Sequence, residues 1–253
     1  MHFLRNLGAR ALGALHDIGQ LTVLLFRILV SIPRLDVQEL WRNFYKVGVK
    51  SFPIVFVTAI LTGAIMVIQS GQLVAQYDAF GLLGWGAGYA TLREIGPILI
   101  GLMFSGRVGA NNTAELGTMK ITEQVDALRA LAINPIPYLL APRFIAIISM
   151  MFLLTLIGNM MAILGGALTA QLLLEVDYRL FFWSISEYLV LGDLWNGLVK
   201  AFFFGVAIAI VSCHYGYATS GGAVGVGRAV NSSVVVSAIS IFVLNFSIGA
   251  LTL

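Results

Sequence analysis

Long apolar stretches dominate the chain and alternate with short polar segments. A helix that crosses a bilayer needs roughly 20 mainly apolar residues, and five stretches can supply them: residues 51–70, 88–105, 144–174, 195–215 and 229–253. The stretch 144–174 is longer than one crossing needs, which predicts a tilted helix or a short interfacial helix at its end. The pattern therefore predicts an all-α integral membrane protein with five transmembrane helices.

Residues 1–33 carry a different pattern. Up to about residue 20, polar and apolar residues fall on opposite sides of a helix, which is typical of a helix lying in the membrane surface. From Leu21 onward the apolar residues spread around the helix and are interrupted by Arg27. A sixth crossing over 18–32 would place Arg27 in the membrane core, so we expect an interfacial or re-entrant helix that ends at Ile32-Pro33.

The composition excludes a soluble protein. Of the 253 residues, 59% are hydrophobic and 11% are charged, whereas a soluble domain carries roughly 25% charged residues. The net charge of +3 is a poor argument for nucleic acid binding. We therefore interpret residues 1–253 as a single membrane domain.

Lysine and arginine residues are unevenly distributed among the segments between the spans. Seven precede residue 51, none lies in 71–87, four lie in 106–143, and one lies in each of the two later loops. Cytoplasmic segments carry the excess of these residues. The alternation predicts a cytoplasmic N-terminus, a cytoplasmic 106–143 segment and a C-terminus on the opposite side of the membrane.

The sequence contains no constellation for catalysis or metal binding. The pattern G-x-x-x-x-G-K-S/T is absent, which excludes ATP hydrolysis by a P-loop mechanism in this chain. His2, His16 and His214 have no acidic or histidine neighbours at ligand spacing, and metal or catalytic sites require such neighbours. We therefore expect that this chain is not an enzyme and that it binds neither a cofactor nor a metal.

Three charged residues fall inside the predicted spans. Arg93 and Glu94 lie near the start of the second span and Lys200 near the start of the fourth, and both spans enter from the same side. Charge at membrane depth is costly and usually marks a pathway or a buried pair. The shared depth predicts a Glu94–Lys200 pair, while Arg93 could face a cavity. A purely structural pair that ties two helices together fits these residues about equally well.

The sequence pattern of residues 112–133 predicts an amphipathic helix between the second and third spans. Asn112, followed by Glu115 three residues later, has the pattern of a helix N-cap, and Asn134-Pro135 ends the helix. Apolar residues recur between these limits at helical spacing. Such a helix is either an ordinary surface helix or a contact for a soluble partner.

Six strings occur in order along the second span and the segment that follows it: Leu92–Pro97, Ser105–Ala110, Thr113–Met119, Thr122–Leu128, Asn134-Pro135 and Ala141–Arg143. Together they resemble the MlaE/YrbE family of ABC transporter permeases, which is associated with MCE-domain proteins. The length and hydropathy of the whole chain also match that family.

The resemblance implies a single permease domain that forms a homodimer in the bacterial inner membrane, with its C-terminus in the periplasm. A separate pair of ABC ATPase subunits binds and hydrolyses ATP, a hexameric MCE-domain protein caps the periplasmic side, and a STAS-domain protein often binds the ATPase. The substrate implied by the resemblance is phospholipid moved between the inner and outer membranes, which would maintain outer-membrane lipid asymmetry.

The resemblance also implies roles for particular residues. Arg93, Glu94 and Lys200 would lie at the lipid cavity between the two permeases. The segment 112–133 would be the coupling helix, with ATPase contacts from Glu115, Gly117, Lys120, Glu123, Gln124, Asp126, Leu128 and Arg129.

Two alternatives stay open. An ABC permease for another hydrophobic cargo, such as a sterol or a hydrophobic toxicant, would share every feature above. A scaffold that only anchors an MCE ring would tolerate charge reversal at Glu123 or Asp126 without loss of lipid transport, whereas a coupled permease would not.

Overall fold

The computed structural model describes residues 18–252, which form helices and no strand and confirm the all-α fold class. We number the helices in chain order. They are α1 (18–31), α2 (Val37–Phe44), α3 (Phe52–Gln76), α4 (Leu83–Ala90), α5 (Gly96–Phe104), α6 (Ala110–Ile121), α7 (Gln124–Ala130), α8 (Ala141–Leu174), α9 (Tyr178–Tyr188), α10 (Leu191–Tyr217) and α11 (Gly222–Leu251).

Four π-helical turns extend these helices. They cover Tyr45–Val49, Thr91–Ile95, Ser105–Gly109 and Ile136–Leu140. The second and third of them join α4, α5 and α6 into one continuous helical run from Leu83 to Ile121. Such turns insert an extra residue into a helix, which changes the direction of the side chains that follow.

The long helices run between two ends of one bundle. Glu94 contacts Lys200 at one end, and Asn112 contacts Ser212 at the other. We call these the Glu94 end and the Asn112 end. The run from α4 to α6 therefore lies parallel to α10 and passes from one end to the other.

Four helices in the described chain are long and apolar enough to cross a membrane: Val37–Gln76, Ile136–Leu174, Leu191–Tyr217 and Gly222–Leu251. The predicted second span, 88–105, lies in the α4–α6 run, where Arg93 and Glu94 lower the apolar character. The bundle places this run between the same two ends as the four apolar helices. Five crossings and the orientation of the termini stay predictions.

The core is built around close contact between helices. Helices α3 and α8 pack backbone to backbone at Gly63 and Gly165, because neither residue has a side chain. A Cβ at Gly63 would overlap the Ala162 carbonyl, and one at Gly165 would overlap Ile60. The main apolar cluster lies toward the middle of the bundle and the Asn112 end, with Phe104, Phe144, Met151, Phe204 and Ile208 fully or almost fully buried. This packing fixes the helices that carry the charged residues.

Two parts of the fold differ from the sequence pattern or add to it. Residues 1–17 of the predicted interfacial helix 1–33 lie outside the described residues. The described remainder forms α1, whose Ile28 is fully buried against the main core, and a short 3-10 turn at Ile32–Arg34. Its place at a membrane surface stays a prediction.

Helix α9 falls in a segment interpreted as a loop, and the Asp177 side chain accepts a hydrogen bond from the Arg179 amide at its start.

Candidate transport site and partner-binding segment

The π-helical turn Thr91–Ile95 positions Arg93 and Glu94. It is followed directly by Gly96 and Pro97 at the start of α5. Proline cannot donate a backbone hydrogen bond, which loosens the helix at this point. Gly96 allows a close approach to α8, because a Cβ there would lie 2.5 Å from Asn159 Oδ1. Regular α-helical hydrogen bonding is thus interrupted where the two charged side chains emerge.

The predicted pair between Glu94 and Lys200 is confirmed. The Lys200 ammonium donates to Glu94 Oε1, and Asn245 Nδ2 on α11 donates to Glu94 Oε2 at 3.0 Å. Lys200 is completely buried, whereas the Glu94 side chain is 37% exposed. A buried ammonium needs such a partner, because leaving it unpaired costs several kcal/mol. Three helices therefore meet at one carboxylate.

Arg93 faces the protein. Its Nη1 lies 3.2 Å from Asp193 Oδ1, its Nη2 donates to the Thr252 carbonyl at 2.9 Å, and its guanidinium lies 5.5 Å from the centre of the Tyr89 ring. Asp193 also accepts from the Val190 amide at 3.2 Å, at the start of α10. The Glu94 end therefore holds two ion pairs side by side.

Sequence reasoning missed Asp193 and Asn245. Asp193 precedes the predicted span 195–215, so the sequence pattern places it in a loop. Its spacing of seven residues from Lys200, two helical turns, was a signal that both face the same side. Asn245 lies in an apolar stretch and carries no charge, so only the folded structure shows its role.

The Asn112 end corrects the N-cap prediction. Asn112 lies inside the continuous α4–α6 run and donates to Ser212 Oγ at 2.9 Å, and Thr113 Oγ1 lies 2.9 Å from Ser233 Oγ. Both side chains are buried. Their partners are on α10 and α11, so these polar residues join helices instead of starting one. Glu115 likewise turns inward and accepts from Arg143 Nη1 at 3.3 Å.

The predicted coupling helix 112–133 is divided into two parts. Its first part is α6 from Asn112 onward, and its second part is α7. The break lies at Thr122-Glu123, where Glu123 adopts a left-handed backbone conformation with φ 60°. A non-glycine residue rarely adopts that conformation inside a helix. The single-helix prediction was wrong because helical spacing of apolar residues continues across a break that the backbone makes.

The residues predicted to contact an ATPase separate into two groups. Gly117 is buried in α6, and Glu115, Lys120 and Leu128 are partly buried. The exposed residues surround the break and α7: Glu123, Gln124, Asp126 and Arg129. The outer segment, residues 122–134, is exposed except at Val125 and Leu128. The contact of these residues with an ATPase stays a prediction.

Ion pairs stabilise α7 at this surface. Lys120 Nζ donates to Asp126 Oδ2 at 2.9 Å, and Arg129 Nη1 donates to Asp126 Oδ1 at 3.1 Å. The hydrogen bond from Lys120 lowers the pKa of Asp126 below its ordinary value, and the charges of Lys120 and Arg129 lower it further. Arg129 also donates to the Tyr217 hydroxyl at the end of α10. These contacts connect α7 to α6 and α10.

Comparison with known proteins identifies the family. The model of the permease family MlaE matches residues 40–251. A probable ABC transporter permease of Rickettsia felis is 38% identical over 250 residues, which cover 98% of this chain and 96% of that protein. A probable ABC transporter permease of Synechocystis is 37% identical over 200 residues, or 79% of this chain and 76% of that protein.

A chloroplast protein extends the comparison. The Arabidopsis thaliana protein named trigalactosyldiacylglycerol 1, chloroplastic, is 33% identical over 213 residues, which cover 81% of this chain and 60% of that protein. The family match and the bacterial relatives each extend over most of the chain. The chain therefore belongs to the MlaE family of ABC transporter permeases.

Proposed function

We propose that this chain is the membrane subunit of an ABC transporter that moves phospholipids between the inner and outer membranes of a bacterial envelope. The observation that carries the proposal is the Glu94–Lys200 pair with Asn245, held among helices that are long and apolar enough to cross a membrane. A polar site in such surroundings suits a molecule with a polar headgroup and apolar chains. The name of the Arabidopsis relative refers to a diacylglycerol lipid, which supports a lipid cargo.

The cargo site lies, in this proposal, between two copies of the chain beside α11. This helix carries Asn245 and also exposes large apolar side chains, among them Phe242 at 56% and Phe246 at 76% exposure. The acyl chains would contact these apolar side chains, while the headgroup would lie near the partly exposed Glu94. The proposal includes a role in the maintenance of outer-membrane lipid asymmetry, with a hexameric MCE-domain protein as the partner on the periplasmic side.

The exposed segment 122–134 is the proposed contact for the ATPase pair. It presents charged residues together with Leu131, which is 71% exposed. The support for this contact is the position of the segment, which exposes its charged residues outside the candidate membrane spans. Binding and hydrolysis of ATP belong to that partner, to which a STAS-domain protein would also bind, and movement of α7 would pass through Lys120 and Tyr217 to α6 and α10.

Analysis of bound lipid tests the cargo. The permease is purified in complex with its ATPase and MCE-domain partners, and the lipids that remain bound are extracted and identified by mass spectrometry. We expect phospholipid, in an amount that falls in the variant Asn245→Leu, because that variant removes one donor to Glu94 without removing a charge. A complex that retains a sterol or another hydrophobic compound and no phospholipid would support the alternative cargo.

A pair of charge reversals tests the coupling. Glu123→Lys changes the exposed break before α7, and Glu187→Lys makes the same change at an exposed position of α9, at the opposite end of the bundle. We expect the first variant to lose ATPase association in copurification, and the second to keep it. Equal association and equal lipid transport in both variants would favour a scaffold that only anchors an MCE ring.

A further inference from the structure

Two adjoining cavities lie at the Asn112 end, between α2, α6 and the start of α8. They have volumes of about 480 and about 330 Å³ and share Asn43, Lys46 and Glu115 in their walls. We call them the basic cavity, because five cationic side chains and two acidic ones line them. The cations are Arg42, Lys46, Lys50, Arg107 and Arg143, and the acids are Glu39 and Glu115.

The two acids do not balance these cations. Glu115 already accepts from both Lys46 and Arg143, and Glu39 lies 3.7 Å from Arg42. Lys50 and Arg107 have no carboxylate within 4.0 Å among residues 18–252. Like charges gathered in a partly enclosed space repel one another and attract an anion. The basic cavity therefore carries a positive field that the described chain leaves uncompensated.

Buried donors in the wall of the cavity also lack partners. Ser51 is 1% exposed and Arg143 is 6% exposed, and neither Ser51 Oγ nor Arg143 Nε has a hydrogen-bond partner. A buried polar group without a partner costs about 1–3 kcal/mol. Phosphate oxygens accept hydrogen bonds from both hydroxyl and guanidinium groups, so Ser51 and Arg143 add hydrogen-bonding capacity to the wall of the cavity.

Two π-helical turns form the walls. Tyr45–Val49 contains Lys46 and is followed by Lys50, and Ser105–Gly109 contains Arg107. Such turns are rare and frequently occur at functional sites. Both turns shift the register of a helix at the point where its basic residue meets the cavity. The same device presents Arg93 and Glu94 at the other end of the bundle.

We propose that the basic cavity binds the phosphate headgroup of an anionic phospholipid from the leaflet at the Asn112 end. Exposed apolar side chains begin beside Lys50 and continue along α3, at Val49, Phe52 and Phe56. They provide a surface for acyl chains that a soluble phosphate would not need. Basic pockets on the cytoplasmic side of membrane helices bind anionic headgroups in this way. The site lies at the opposite end from Glu94, so it is separate from the proposed cargo site.

Native mass spectrometry of the purified full chain tests this site. The protein is titrated with phosphatidylglycerol and, separately, with phosphatidylcholine, whose headgroup carries no net charge. We expect phosphatidylglycerol to bind more tightly. The variant Lys50→Ala/Arg107→Ala should weaken that binding by about five-fold for each cation removed. Arg228→Ala is the matched control, since Arg228 is an exposed arginine at the same end and lines neither cavity.

Two further measurements assign the ligand. Lys50→Arg/Arg107→Lys keeps both charges and should retain tight binding, which separates loss of charge from loss of structure. Lipid binding should be equally tight in excess inorganic phosphate and in chloride at the same ionic strength. Displacement of the lipid by phosphate would assign the cavity to a soluble anion and overturn the lipid proposal. Equal affinity for the two lipids, or equal binding by the parent chain and Lys50→Ala/Arg107→Ala, would also overturn it.

Discussion

The two ends of the bundle both bury charged side chains, but they differ in charge balance. At the Glu94 end two cations meet two acids, as Lys200 with Glu94 and Arg93 with Asp193. At the Asn112 end five cations surround two acids. Paired charges create little field beyond their own contact, whereas an excess of one sign attracts an ion of the other. The difference indicates that the charges of the first end are neutralised within the bundle, whereas the excess of cations at the second end attracts an anion.

The largest expected effect comes from breaking the balance at the Glu94 end. Glu94→Ala leaves the completely buried Lys200 ammonium without its carboxylate, and removing one partner of a buried pair costs about 3–5 kcal/mol. Denaturant unfolding in mixed lipid and detergent micelles measures the change. The variant Lys200→Leu should cost less, because Glu94 is partly exposed and keeps Asn245 as a donor.

Two double variants control this prediction. Glu94→Leu/Lys200→Leu replaces the pair by apolar side chains and should recover most of the lost free energy of unfolding, since apolar replacement of a buried pair is often neutral. The exchange Glu94→Lys/Lys200→Glu should recover part of it. A single Glu94→Ala variant as stable as the parent would show that the pair does not compensate Lys200.

The residues at the Glu94 end show which contacts can be predicted from the sequence and which cannot. Glu94 and Lys200 could be matched because charge is rare in apolar spans, so two opposite charges at one depth leave few other partners. Asp193 could not be matched in the same way, because it lies next to a polar loop where charge is ordinary. Asn245 was missed for the opposite reason, since a neutral amide gives no sign of its partner.

The Asn112 end was harder to predict for a different physical reason. An N-cap pattern is local, and Asn112 followed by Glu115 satisfies it. The folded chain offers those side chains partners on α8 and α10 that lie far away in sequence, with Ser212 and Arg143 within 3.3 Å. The π-helical turns could not be predicted from the sequence either, because they depend on packing and not on a residue pattern. The all-α class, by contrast, follows from apolar length alone.

Steric substitutions at the two ends should have the next largest effect. A Cβ at Gly197, at the Glu94 end, would overlap the Leu92 carbonyl, while one at Gly216, at the Asn112 end, would lie 2.7 Å from Leu116 Cβ and 3.1 Å from the Thr113 carbonyl oxygen. Overpacking of this kind costs about 1–3 kcal/mol. We expect Gly197→Ala to lower the free energy of unfolding more than Gly216→Ala, because its Cβ would lie only 2.0 Å from the Leu92 carbonyl oxygen.

Gly227→Ala is the control for these variants. A Cβ at Gly227 in α11 meets no atom within 4 Å, and alanine is favoured over glycine in a helix by about 0.5–1 kcal/mol. The variant should therefore be neutral or slightly more stable in the same unfolding assay. Equal losses in all three variants would mean that close packing at Gly197 and Gly216 is not the cause of the loss.

Removing one cation at the Asn112 end should have a smaller effect than removing the acid at the Glu94 end. Arg143→Met takes one donor from Asn112 and Glu115, but Glu115 keeps Lys46 as a partner. The lost hydrogen bonds to a charged group cost about 1–3 kcal/mol, and relief of repulsion among the remaining cations offsets part of that. Unfolding in the same micelles measures the difference. If Arg143→Met lowered the free energy of unfolding as much as Glu94→Ala does, the two ends would not differ in the way that their charge balance predicts.

The smallest expected effect is a change with pH at the exposed surface of the Asn112 end. The pKa of Asp126 is lowered from its ordinary value of 3.8, first by the hydrogen bond from Lys120 and then by the charges of Lys120 and Arg129. A lowered pKa in the folded chain means that the ion pair stabilises α7 at neutral pH, and that this stabilisation is lost as the pH falls through the folded value. The carboxyl carbon shift of Asp126, followed by NMR as the pH is lowered, measures that value directly. Lys120→Ala should raise it more than Arg129→Ala, since Lys120 supplies the main hydrogen bond. An identical titration in the parent and both variants would show that Asp126 is not held by these two cations, and that the order of α7 depends on Val125 and Leu128 instead.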